Sequence, residues 1–217
     1  MAGTQEGDSA MKLGRTLILG DSYSTFTGFI PDGFHAWYPQ ATDNDVQRVE
    51  DTWWYGLFDG HDNILVRNDS FSGATVCNTV RPELSVDTSF VSRLQALIDR
   101  GFFIKNPVDT VLLFGGTNDY WTNAPVGAFQ TAPFTGQDLL AFVPACCAIA
   151  AQLAENAPTA KVCWLINTEL GTDYSAGIRQ AAAHYGQTCL AFPHIDKQAG
   201  HPSVQGMGEI TAAIRAF

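Results

Sequence analysis

Thr16-Leu17-Ile18-Leu19-Gly20-Asp21-Ser22 starts as a short, almost continuous apolar run and ends in a glycine, an acid and a hydroxyl. A run of this length bounded by a turn glycine reads as a strand buried on both faces. Four more runs of the same kind follow, at residues 64–67, 110–114, 161–166 and 188–192. Amphipathic stretches separate them. A helix is expected at 49–58, with Gly60 as its stop. In a second, Phe90, Leu94, Leu97 and Ile98 share one face, and Gly101 ends it. Others are expected at 139–153, at 176–185 with Gly186 beyond, and at 204–214, with Pro202 at its first turn. Strands alternating with helices predict an α/β fold, a three-layer α/β/α sandwich around a five-stranded parallel sheet of flavodoxin-like order. In such open sheets ligands bind beyond the carboxyl ends of the strands.

Composition narrows the function. The chain of 217 residues has 46% hydrophobic residues, enough for one sizeable core. Residues 1–10 are polar and acidic and read as a disordered leader; residues 11–217 read as one domain. With 22 acidic against 12 basic side chains the net charge is -10, which argues against nucleic acid and against an anionic membrane surface. No stretch is long and apolar enough to span a bilayer. Five cysteines, an odd number in apolar surroundings, point to reduced thiols and a cytoplasmic protein. No histidine–cysteine spacing suggests a metal site, and neither a dinucleotide fingerprint nor a phosphate-loop lysine is present, so no cofactor is expected.

Four segments lie past strand ends: Gly20-Asp21-Ser22, Asn68 through Gly73, Gly115 through Asp119, and Asp196 through Pro202. They bring a serine, a glycine, an asparagine and a histidine to one edge of the sheet. A serine hydroxyl is a weak nucleophile until a base takes its proton, and histidine, with a reference pKa of ~6.5, suits that task. Attack on an ester builds charge on the carbonyl oxygen, which preorganised donors must meet. The N–H groups of Ser22 and Gly73 and the amide of Asn118 can supply three.

On these residues the sequence resembles the SGNH hydrolase superfamily, the GDSL-type esterases and lipases. Leu17 through Ser22 resembles its first block and Gly73 stands at the second block's glycine. Gly116-Thr117-Asn118-Asp119 resembles the third block and His201-Pro202 the fifth. The resemblance implies that Ser22 is the nucleophile, that Ser22, Gly73 and Asn118 form the oxyanion hole, and that His201 is the base. It also implies an aspartate three residues before the histidine. Gln198 occupies that position here, so the nearest upstream acid, Asp196, is expected to hold the ring through a loop bulged at Gly200; the competing reading is a dyad in which a backbone carbonyl holds it.

Asp21 and Asp119 read as acids that fix loops, and Ser24 as a rival hydroxyl. The aromatic segments 26–38 and 120–134 are expected to border the mouth of the site, with Trp37, Tyr120 and Trp121 touching substrate. The expected partner is a small-molecule ester, with acetylated carbohydrate preferred. Two alternatives are a longer-chain lipase or thioesterase-like hydrolase and a non-catalytic carbohydrate-binding domain on the same fold. Activity is expected to fall near pH ~6–7 as an ordinary histidine gains its proton.

Overall fold

β1 (Arg15–Gly20) pairs with β2 (Ile64–Ser70) on one side and β3 (Thr110–Phe114) on the other. β4 (Lys161–Ile166) and β5 (Thr188–Ala191) complete a parallel five-stranded sheet in the order β2-β1-β3-β4-β5. This computed structural model describes residues 12–59 and 62–217; the expected leader and Gly60 lie outside the described residues. Seven helices are present among the described residues: α1 (Tyr55–Phe58), α2 (Phe90–Asp99), α3 (Phe102–Lys105), α4 (Thr117–Trp121), α5 (Phe142–Asn156), α6 (Thr172–His184) and α7 (Val204–Ala216).

The period of two along each strand divides the interior into two cores. Leu17, Leu19, Val111, Leu113, Val162 and Trp164 join one core with α2, α5 and α6. Ile18, Leu112, Phe114, Cys163 and Leu165 join the other with α7 and with Trp53 and Trp54. The result is the three-layer α/β/α sandwich expected from the sequence. α5 is apolar nearly all round because it is packed between α2 and α6 as well as against the sheet.

β2 runs on to Ser70 instead of ending at 67 and α6 begins at Thr172 instead of 176, and three further elements differ from expectation. Residues 49–58 do not form one helix: a 3-10 turn at Val49–Asp51 is followed by the four-residue α1. Tertiary hydrogen bonds override the helical pattern there, because the Trp53 and Trp54 indoles donate to the carbonyls of Tyr23 and Ser24 at 3.1 and 3.0 Å. The apolar helix expected from residue 139 starts at Phe142, after a 3-10 turn at Asp138–Leu140. Pro202 does not open a helix; it lies in β7 (His201–Pro202), antiparallel to β6 (Lys197–Gln198). Ser203 caps α7 instead, its side chain accepting from Gly206 N at 3.2 Å.

Candidate active site

β1 ends at Gly20, and the chain turns at once through a 3-10 segment at Ser22–Ser24. A side chain at residue 20 would meet Ser70 Oγ at 2.5 Å and Ser24 Oγ at 2.7 Å, so only glycine permits this turn. Asp21 accepts from Tyr23 N at 3.0 Å, and Asn68 donates to the Ser24 carbonyl at 2.8 Å. Together with the two indoles these bonds fix Ser22, which is 4% exposed.

His201 arrives on the β6–β7 hairpin. Its two turn residues, Ala199 (φ 47) and Gly200 (φ 75), are both left-handed, the conformation that suits a two-residue antiparallel turn. Three side chains hold the hairpin. Tyr23 Oη donates to the Gly200 carbonyl at 2.7 Å, Tyr38 Oη to the Pro202 carbonyl at 2.8 Å, and Asn44 Nδ2 to the Pro202 carbonyl at 3.1 Å.

Ser22 Oγ and His201 Nε2 are 2.9 Å apart. On the opposite side of the ring, Nδ1 is 3.1 Å from the Ala199 carbonyl oxygen. A carbonyl can only accept, so Nδ1 carries the hydrogen, and Nε2 is left to accept from the serine hydroxyl. Trp37 lies parallel to the imidazole, with ring centroids 3.7 Å apart and 6° between the planes. Burial pushes the His201 pKa down to about 4; the nearby Lys197 charge lowers it further, and the Ala199 carbonyl opposes both.

The expected contact between Asp196 and His201 is not formed. The Asp196 carboxylate accepts from the Ser203 hydroxyl, and its backbone N–H is held by Glu209 at 2.8 Å. Gln198 Oε1 accepts from Asp45 N at 2.8 Å and also lies away from the imidazole. The physical reason is the tight hairpin: its turn folds the residue two before His201 back onto the ring, and no bulge brings Asp196 there.

Gly73 has φ 85, which glycine adopts freely, and its backbone lines a cleft of about 450 Å³ with Ser22, Asn118 and His201. Asn118, in α4, donates from Nδ2 to the Ala74 carbonyl at 3.0 Å, and its second amide hydrogen is left for another acceptor. Asp119 accepts from Val76 N at 2.8 Å and Cys77 N at 3.1 Å, tying α4 to the segment that carries Gly73. It is the loop-fixing acid that the sequence suggests. Burial pushes the Asp119 carboxyl up to about 6 and that of Asp21 up to about 7. Ser24 is fully buried and its Oγ has no hydrogen-bond partner, so it does not compete for the base.

The aromatic segments divide. Trp37 and Trp121 line the cleft; the Trp121 ring is 6.2 Å from that of His201 and 41% exposed. Tyr120, expected there too, packs instead on Tyr174 (centroids 5.6 Å) and against Gly171, outside the cleft. One residue along a helix turns a side chain by roughly 100°, so Tyr120 and Trp121 cannot share a face. Phe129 and Phe134 pack on the α2–α5–α6 core. His35 also lines the cleft, within the segment expected there; sequence reasoning missed the part of the lining built by Arg81, Glu83 and Leu84. Its Arg81-Pro82-Glu83-Leu84 turn has no motif or period to announce it.

This edge of the sheet can deprotonate a hydroxyl and surround a carbonyl with donors. The family model for GDSL-like lipase/acylhydrolase matches residues 15–217, and the chain belongs to that family. Two solved structures of proteins assigned to the GDSL-like lipases are similar. One, from Bacteroides uniformis, is 40% identical over 93% of each chain, with a TM-score of 0.84. The other, from Bacteroides ovatus, is 34% identical over 94% of this chain and 97% of that one, also at 0.84. A family two carbohydrate esterase from Clostridium thermocellum, solved with cellohexaose, shares the fold at 14% identity (TM-score 0.64; 95% of this chain, 64% of that chain). No curated protein matches this chain. The protein is a carboxylic ester hydrolase.

Proposed function

We propose that the protein is a serine esterase for short acyl groups, acetyl above all, with a Ser22–His201 dyad and no catalytic carboxylate. The observation that carries this reading is the 2.9 Å contact between Ser22 Oγ and His201 Nε2 in the cleft. Nε2 takes the hydroxyl proton as Oγ bonds to the ester carbon. The carbonyl oxygen becomes an oxyanion facing Ser22 N, Gly73 N and Asn118 Nδ2. The imidazolium then gives its proton to the departing alkoxide, leaving an acyl-serine. Water, deprotonated by the same nitrogen, attacks the acyl carbon; the proton returns to Oγ and the acid leaves.

The leaving oxygen must lie within reach of Nε2, which places the alcohol on the His201 side, beside Trp37 and Trp121. The exposed Trp121 ring suits the flat face of a sugar, in keeping with a carbohydrate ester. The acyl group points to the Gly73 side. There Leu84 Cδ1 stands 3.1 Å from where a Cβ on Gly73 would be, and Arg81 Cδ stands 3.6 Å away. That wall favours acetyl over the long chains of a lipase.

The reading is tested with 4-nitrophenyl esters from acetate to octanoate and with acetylated sugars. Activity should peak at acetate, and Leu84→Ala should raise the octanoate-to-acetate ratio of kcat/KM by about tenfold, since added apolar contact is worth ~1–3 kcal/mol per methylene pocket. A wild-type optimum at octanoate would reject the short-acyl assignment. Asp196→Asn retains an acceptor for Ser203 and should keep kcat within about threefold, far from the ~10⁴-fold loss typical of a triad aspartate. Cytoplasmic placement is part of the same proposal and rests on the five cysteines, all free thiols.

A further inference from the structure

Lys197, on β6, is a cation that the reaction above does not use, and its side chain is only 9% exposed. Its Nζ donates to Asn167 Oδ1 at 3.0 Å, pairs with Glu169 Oε2 at 3.1 Å and stands 5.4 Å from the centre of the Tyr23 ring. Asn167 is itself buried, and its Nδ2 donates to Thr117 Oγ1 at 3.1 Å. Thr117 directly precedes Asn118. The Tyr23 ring packs edgewise on His201 at 5.4 Å and its hydroxyl holds Gly200. One ammonium group therefore connects the hairpin bearing the histidine, the segment after β4 and the segment bearing the asparagine.

We propose that Lys197 is a positioning residue: it clamps the His201 hairpin to the start of α4, which bears Asn118, so that base and oxyanion donor keep a fixed separation. The inference rests on the Ser22–His201 reading. Its force comes from what the clamp replaces. A triad carboxylate would orient the imidazole directly, whereas here the only acceptor on Nδ1 among the described residues belongs to the hairpin itself. Apart from the Trp37 face stacked on it, the ring is thus placed by the hairpin.

Charge and position act in opposite senses, which makes the role testable. His201 is faced by Lys197 from its own hairpin, by Tyr23 from the nucleophile turn, by Trp37 and Tyr38 from the segment before Asn44, and by Trp121 from α4. Of the acids nearby, Glu169 pairs with Lys197, and the charge of Asp21 acts on Lys197 and Tyr23. The Lys197 charge opposes the imidazolium. Were that its whole effect, removing it would raise kcat.

The test uses the full chain, 4-nitrophenyl acetate as substrate and a fluorophosphonate as label for Ser22. Lys197→Met is expected to lower kcat by about 10–100-fold, the scale of a small misplacement of reacting groups, with KM changed by less than about threefold. The acid limb of its kcat/KM profile moves to higher pH, because a neighbouring positive charge no longer favours the neutral ring. Lys197→Arg restores the wild-type limb and most of kcat. Asn167→Ala lowers kcat and leaves the limb in place, since the charge remains. A Lys197→Met kcat at or above that of the wild type overturns the proposal. Should that variant not fold, an unchanged kcat in Asn167→Ala overturns it equally. A wild-type protein that neither labels nor hydrolyses the ester would reject the Ser22–His201 reading itself. Wild-type labelling at Ser22 with an indifferent Lys197 rejects the clamp alone.

Discussion

Ser22→Ala is expected to lower kcat on 4-nitrophenyl acetate by about 10⁴- to 10⁶-fold, the usual result of losing a covalent nucleophile. At 1.36 kcal/mol per tenfold, that is roughly 5–8 kcal/mol of barrier. The loss is large because the oxyanion donors can then assist only water. The fold should survive, because no described hydrogen bond uses Ser22 Oγ except the one to His201. Steady-state rates, labelling with a fluorophosphonate and thermal unfolding check the three parts. Full activity in Ser22→Ala together with loss in Ser24→Ala would transfer the role to Ser24. The depth and lack of partners of the Ser24 hydroxyl argue against that result.

Asn118→Ala is expected to lower kcat by about 10²–10³-fold with little change in KM, because an oxyanion donor strengthens its contact only as charge develops. A second effect must be separated from the first. Asn118 Nδ2 also holds the Ala74 carbonyl at 3.0 Å, one residue beyond Gly73. Asn118→Asp keeps the size of the side chain but replaces its donors with a negative charge. It should be at least as inactive; because both variants lose the Ala74 bond, thermal unfolding of the two reads that structural part apart from the loss of kcat. A change confined to KM would move Asn118 from the oxyanion site to ground-state binding.

The parts of this molecule legible in the sequence are those with a short-range signal. The buried strands at 110–114 and 161–166 have the bounds read from the sequence because a parallel strand covered on both faces needs an unbroken apolar run. Ser22 and Asn118 follow from standing just past such runs. What could not be read depends on three-dimensional closure. Whether Asp196 or Ala199 meets His201 is decided by the hairpin register, and that is set by two left-handed residues, one of them an alanine that carries no turn signal. The wall at Leu84 depends on its approach to Gly73, eleven residues earlier and across a loop without period. The expected fall in activity near pH ~6–7 assumed a solvated histidine. Burial lowers the imidazole pKa to about 4, so under the proposed Ser22–His201 reading the acid limb is expected near pH 4.

The parallel indole of Trp37 has a consequence for the charged stages of the proposed reaction. Twice in each cycle His201 becomes an imidazolium, and no carboxylate among the described residues stands behind it. The face of an indole carries excess electron density, and a cation placed over it gains about 0.5–2 kcal/mol. At 3.7 Å and 6° the imidazole lies where a cation–π attraction appears when the proton arrives and vanishes when it departs. An uncharged aromatic ring thereby supplies, only at the moment of need, part of the stabilisation that a buried anion would exert throughout the cycle.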